Sequence, residues 1–105
     1  MESPDGEGWA GSRSIGRYVR MQVRVCENKI VAASFESVPC VFCISCGSFL
    51  AEWAHDKPIE QLSDMDAYRL AGELGGLPRT KFHCAELAVH ALSRAVKAAL
   101  GGGSP

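Results

Sequence analysis

Cys40, Cys43 and Cys46 recur at three-residue steps in residues 38–47, VPCVFCISCG, and Cys84 follows His83 much further along. Thiols at such spacing suit soft-metal ligation, thiol–disulfide exchange or plain packing, because cysteine is also a small, readily buried hydrophobe. Cys40 and Cys43 fall where a strand hands over to a helix, and Cys84 where a Gly/Pro-rich loop hands over to another. The free N–H groups of a helix N-terminus favour thiolate, the form that binds metal and attacks sulfur. Cys40, Cys43, His83 and Cys84 therefore form a candidate tetrahedral donor set, provided the two loops meet. Cys46, one turn beyond Cys43 in an apolar run, reads as core packing. Cys26 reads as an incidental exposed thiol, and His55 and His90 as surface or helix-face residues.

Other elements must hold these side chains in place. Val19, Met21, Val23 and Val25 alternate with Arg20, Gln22 and Arg24, the pattern of a half-buried antiparallel strand. Glu27-Asn28-Lys29 supplies a turn, IVAASF (residues 30–35) is the hairpin partner, and the strand ends at Pro39. A helix is expected from about Val41 to the region of His55, burying Phe42, Ile44, Phe49, Leu50 and Trp53. Pro58 opens a short helix, and Ser63 with Asp66 resembles a capping pair for residues 64–74. A last helix begins near His83 or Cys84, with Leu87, Ala88, Ala91, Leu92, Ala95, Val96 and Ala99 as its apolar stripe. Residues 1–11 read as a mobile lead-in. The fold class expected is α+β: a small antiparallel sheet followed by, and packed against, several helices.

Composition narrows the function classes. A chain of 105 residues with 47% hydrophobic and 22% charged residues suits one ordinary globular domain. A formal net charge of −1 gives no electrostatic reason to expect nucleic acid or an acidic membrane as partner. No secretory signal is visible, and no apolar run is long enough to span a bilayer. Five cysteines, odd in number and unevenly clustered, suit ligation or thiol chemistry better than a disulfide framework. The expected location is cytoplasmic, or the mitochondrial matrix in a eukaryote, where thiols stay reduced.

The stretch Leu77-Pro78-Arg79-Thr80-Lys81-Phe82-His83-Cys84 resembles the NifU/IscU family of iron–sulfur cluster assembly scaffolds, in which Leu-Pro-x-x-Lys-x-His-Cys precedes the last helix. FESVPC followed by GSFLAEW is similar to the family's Phe-x-x-x-x-Cys and later Glu-Trp, which matches Cys40 to its second ligand cysteine. GWAGSRSIG resembles the family's Gly-x-x-Gly-x-x-x-Cys-Gly, so the similarity covers residues 8–100. That leaves 1–7 as a flexible lead-in and 101–105 as a disordered tail.

The resemblance implies a binding module rather than an enzyme, with three cysteines, a neighbouring histidine and an aspartate that governs cluster lability. Cys40, His83 and Cys84 carry over. Where the family has Cys-Gly-Asp, this chain has Ile15-Gly16-Arg17, so the first ligand is missing and the acid has become a cation. Cys43 stands where the family has a small residue and is expected to replace the lost ligand. The implied cargo is iron or a [2Fe–2S] cluster. The implied partners are a cysteine desulfurase, apo iron–sulfur proteins and an Hsp70-type chaperone that reads residues 77–81. Zinc-holding members carry an insertion before the final helix that is absent here. The alternatives are a zinc-bound sulfur acceptor for a desulfurase, or a degenerate, non-ligating paralogue. A thiol–disulfide oxidoreductase using Cys40 and Cys43 is a third reading, although a thioredoxin fold would need a βαβ unit.

Overall fold

The computed structural model describes residues 4–102 apart from positions 13 and 15. Strand β2 (Arg17–Cys26) lies at the centre of a three-stranded antiparallel sheet, between β1 (Gly6–Ser12) and β3 (Lys29–Ser37). Val19, Met21 and Val23 point to one face and are fully buried, as the alternation requires. The register shifts between Arg24 and Val25, and this bulge leaves Val25 only half-buried. Glu27 and Asn28 both adopt positive φ (52° and 64°), so the β2–β3 hairpin closes through a turn of the primed type that suits sheet twist.

Helices α1 (Val41–Ala54) and α3 (Phe82–Lys97) cover the inward face and α2 (Ala67–Glu73) packs against α3, with 3-10 turns at Ile59–Asp64 and Arg79–Lys81. The architecture is α+β, a sheet followed by helices. Among the described residues no helix is long and apolar enough to cross a membrane.

The structure corrects the sequence reading in four places. Strand β1 occupies much of the expected lead-in. Asp5 is already tied to β2, its N–H donating to the Val23 carbonyl at 2.8 Å and its carboxylate accepting from the Val25 N–H at 2.8 Å. The inward positions of β1 are Gly6, Gly8 and Ala10, so the strand carries almost no hydrophobic pattern. A Cβ at Gly8 would run into the Ala91 carbonyl oxygen and the Ala95 nitrogen, so strand and helix meet backbone to backbone. Arg94 Nη1 clamps the pair by donating to the Trp9 carbonyl at 2.6 Å.

Helix α1 buries Leu50, as expected, but with Cys43, Cys46, Gly47 and Ala54 beside it rather than the other large residues. Phe42, Phe49 and Trp53 are half-buried, and Ile44 is 45% exposed. A helix apolar on nearly every side offers no periodic contrast to select its inner face. Gly47 settles the choice, because Phe35 of β3 lies where its Cβ would be.

The cap of α2 is Asp66 itself, whose carboxylate accepts from the Arg69 N–H at 2.8 Å, while Ser63 turns back to the Glu60 carbonyl. Helix α3 begins at Phe82 and runs into a π turn at Ala98–Gly102, of which the first two residues of the expected tail form part. Residues 103–105 lie outside the described residues.

Candidate metal centre

Cys40 is the N-cap of α1, with extended backbone (φ −123°, ψ 126°) after β3 has ended and Pro39 has turned the chain. Cys43 follows in the first turn and points inward, 2% exposed. Cys84 sits in the first turn of α3, fully buried, because its neighbours Ala85 and Ala88 press that face against the sheet and α1. The core thus brings two helix starts together. The Sγ atoms of Cys40, Cys43 and Cys84 all lie within 4.8 Å of one another.

Cys43 Sγ–H donates to Cys84 Sγ at 2.8 Å. Around a tetrahedral ion with metal–sulfur bonds of about 2.3 Å, neighbouring sulfurs stand about 3.8 Å apart, so ligation requires this pair to open by roughly 1 Å. All three cysteines are free thiols.

The three thiols differ in acidity. Cys40 makes no capping hydrogen bond within ordinary distance limits. Even so, the N–H of Cys43 and then that of Phe42, facing its sulfur, lower its pKa, helped by the Cys43 thiol and the positive charge of Lys81. Burial pushes the Cys43 thiol up, reinforced by its bond to Cys84, and burial likewise raises Cys84. One half-exposed, more easily ionised thiol and two behind it that burial keeps protonated can therefore receive a soft cation with loss of protons.

His83 stands at the edge of this trio. Its Nε2 lies 3.7 Å from Cys84 Sγ, and its ring lines an open hollow of about 290 Å³ shared with Arg17 and Glu86. A second hollow lined by His83 and Glu86 includes Arg79 and Tyr68. Cys46 lies outside the trio, fully buried one turn deeper, and burial pushes its thiol up to about 11. Cys26, His55 and His90 are exposed. Position 15, where the family's first cysteine would stand, lies outside the described residues, whereas Arg17 opens β2 beside His83's hollow. Sequence reasoning missed the part Lys81 plays at Cys40. The available signal was its place three residues before Cys84, in the turn that caps α3.

Residues 1–101 match the family described as the NifU-like N terminal domain. The iron-sulfur cluster assembly scaffold protein IscU 1 of Archaeoglobus fulgidus is 34% identical over 96 residues, a match covering 91% of this chain and 63% of that protein. The iron-sulfur cluster assembly scaffold protein IscU of Azotobacter vinelandii is 33% identical over 98 residues, covering 91% of this chain and 76% of the relative. This chain thus spans less than two thirds of the archaeal relative's length. A solved NifU-like protein (N-terminal) from Brucella abortus superposes with a TM-score of 0.69 over 96% of this chain and 83% of that one; at 15% identity it shows the fold alone. Sheet order, helix order and sequence match agree, and the chain belongs to the NifU-like N-terminal domain family.

Proposed function

We propose that this chain is a carrier on which an iron–sulfur cluster is built and from which it passes to apo-proteins, and that Cys40, Cys43, Cys84 and His83 hold the cluster. The observation that carries the reading is the meeting of three sulfurs within 4.8 Å at the joined starts of α1 and α3. The names of the archaeal and Azotobacter relatives point the same way.

Cluster cargo is held by thiolates, and its lability depends on local charge and exposure. Cys40, half-exposed and with its thiol pKa lowered, is the residue that first engages iron. Cys43 and Cys84 then lose their protons and separate. Cys43 supplies the third sulfur in place of the residue missing at position 15. His83 offers a nitrogen on the open side. Lys81, Arg79 and Arg17 outnumber Glu86 around the site, and this excess of positive charge favours an anionic cluster and slows its departure.

The partners fit the same surface. The desulfurase must reach Cys40, and apo-proteins must reach the same open face. Leu77 and the 3-10 turn Arg79–Lys81, with Pro78, Arg79 and Thr80 exposed, offer an Hsp70-type chaperone a short segment next to the ligands. Thiols kept reduced in this way suit a cytoplasmic or matrix setting.

Reconstitution with ferrous iron and sulfide under anaerobic conditions tests the reading. A coloured protein with stoichiometric sulfide is expected, whose spectrum gives way to that of the holo-ferredoxin on mixing with an apo-ferredoxin. A colourless protein that holds zinc tightly would point to the sulfur-acceptor alternative, which the three-sulfur, one-imidazole donor set also suits. A protein that holds neither would be a non-ligating paralogue.

A further inference from the structure

Cys40 and Cys43 bracket Val41 and Phe42 at the start of α1, and the two ends of this C-x-x-C stand in different surroundings. Cys40 is half-exposed at the N-cap, while Cys43 is 2% exposed and in contact with a third thiol, Cys84, at 2.8 Å. The Cys40 and Cys43 sulfurs lie within 4.8 Å of each other and must close to roughly 2.05 Å to form a disulfide. Nothing in this arrangement needs a metal.

We propose that the Cys40–Cys43 pair performs thiol–disulfide exchange with low-molecular-weight disulfides of the glutathione type, Cys40 attacking and Cys43 resolving. The accessible sulfur alone can meet an incoming disulfide in line. Cys40 thiolate bonds to one sulfur of the disulfide; the S–S bond breaks and the first thiolate leaves, taking a proton from solvent. Cys43 Sγ then attacks Cys40 Sγ, the mixed disulfide breaks, and the second small thiol departs with the proton that Cys43 gives up. One small disulfide is reduced to two thiols, and the two cysteines are oxidised to one disulfide. In the resting protein Cys84 accepts the Cys43 S–H, and this bond must open, with Cys43 giving up its proton, before Cys43 attacks.

The chemistry asks only for an accessible sulfur at a helix start and a buried one a turn behind it. The antiparallel β1-β2-β3 sheet, quite unlike a βαβ unit, is therefore no obstacle. Oxidation would remove two sulfurs from the proposed cluster site, so exchange and cargo exclude each other. The inference goes beyond the carrier reading and stands without it.

The test uses the full chain, reduced and freed of metal with chelator, with Cys26→Ser to silence the exposed thiol at the far end of the β2–β3 hairpin. It is mixed with glutathione disulfide, and released glutathione and mapped disulfides are followed by mass spectrometry. Two glutathiones per chain and a Cys40–Cys43 bond are expected. Cys40→Ser, a half-exposed change that leaves the core intact, should slow release at least about tenfold. Cys43→Ser, with its fold checked by circular dichroism, should stop after one glutathione with the adduct on Cys40. Cys40 and Cys43 remaining reduced in the folded protein, or prompt closure of Cys40 onto Cys84 in Cys43→Ser, would overturn the proposal. Metal content is measured separately on untreated protein, so failure of exchange beside full metal loading overturns this inference and leaves the carrier reading standing.

Discussion

Cys43 Sγ lies 2.8 Å from Cys84 Sγ, a contact between residues forty-one positions apart that joins the first turn of α1 to the first turn of α3. With Cys40 beside them, these sulfurs combine one accessible, easily ionised thiol with two that burial keeps protonated.

Alkylation at controlled pH should expose that division. In a Cys26→Ser background with metal removed, Cys40 should be modified first, at least about tenfold faster than Cys43, Cys46 or Cys84. Thiolate is the reacting form, so the Cys40 rate rises with pH and, its pKa being lowered, levels off below the ordinary thiol range. Cys46, pushed up to about 11, should stay unmodified across that window unless the protein unfolds. Quenched time points read by peptide mass spectrometry would measure this.

The backbone contact between β1 and α3 makes its own demand. Gly8→Ala places a methyl group against Ala91 and Ala95 and should lower stability by about 2–3 kcal/mol, seen as a reduced urea midpoint. Gly72→Ala, in α2 with nothing within 4 Å of the new methyl, should instead raise stability by about 0.5 kcal/mol. Equal effects from the two would refute the close packing.

Much of this framework was legible in the sequence. The valine alternation of β2 and the alanine-rich stripe of α3 carry periods that only one element satisfies, so both elements and their faces could be read directly. β1 could not be read, because Gly6 and Gly8 face inward with no side chain to register burial. The inner face of α1 was hidden for the opposite reason, apolar residues on nearly every side. The candidate donors Cys40, Cys43, His83 and Cys84 were visible as residue types. Their meeting was not, since it depends on α1 and α3 packing start to start through small residues. Lys81 acts through space on Cys40, a relation that spacing along the chain does not express.

Arg17 shares a hollow with His83 where the family carries an acid, and Arg17→Asp should remove positive charge from the approach to the site. Transfer of a reconstituted cluster to an apo-ferredoxin should then speed by about threefold to tenfold, with the gain shrinking at high salt. Stopped-flow absorbance at two ionic strengths provides the measurement. Unchanged transfer would mean that Arg17 plays no part in retention.

The most direct test of the central claim is iron and acid-labile sulfide content in anaerobically purified Cys43→Ala, measured beside wild type and Cys46→Ala. The three-sulfur account predicts that Cys43→Ala loses most of its iron and sulfide while Cys46→Ala keeps both. Full occupancy in Cys43→Ala, or loss confined to Cys46→Ala, would contradict it.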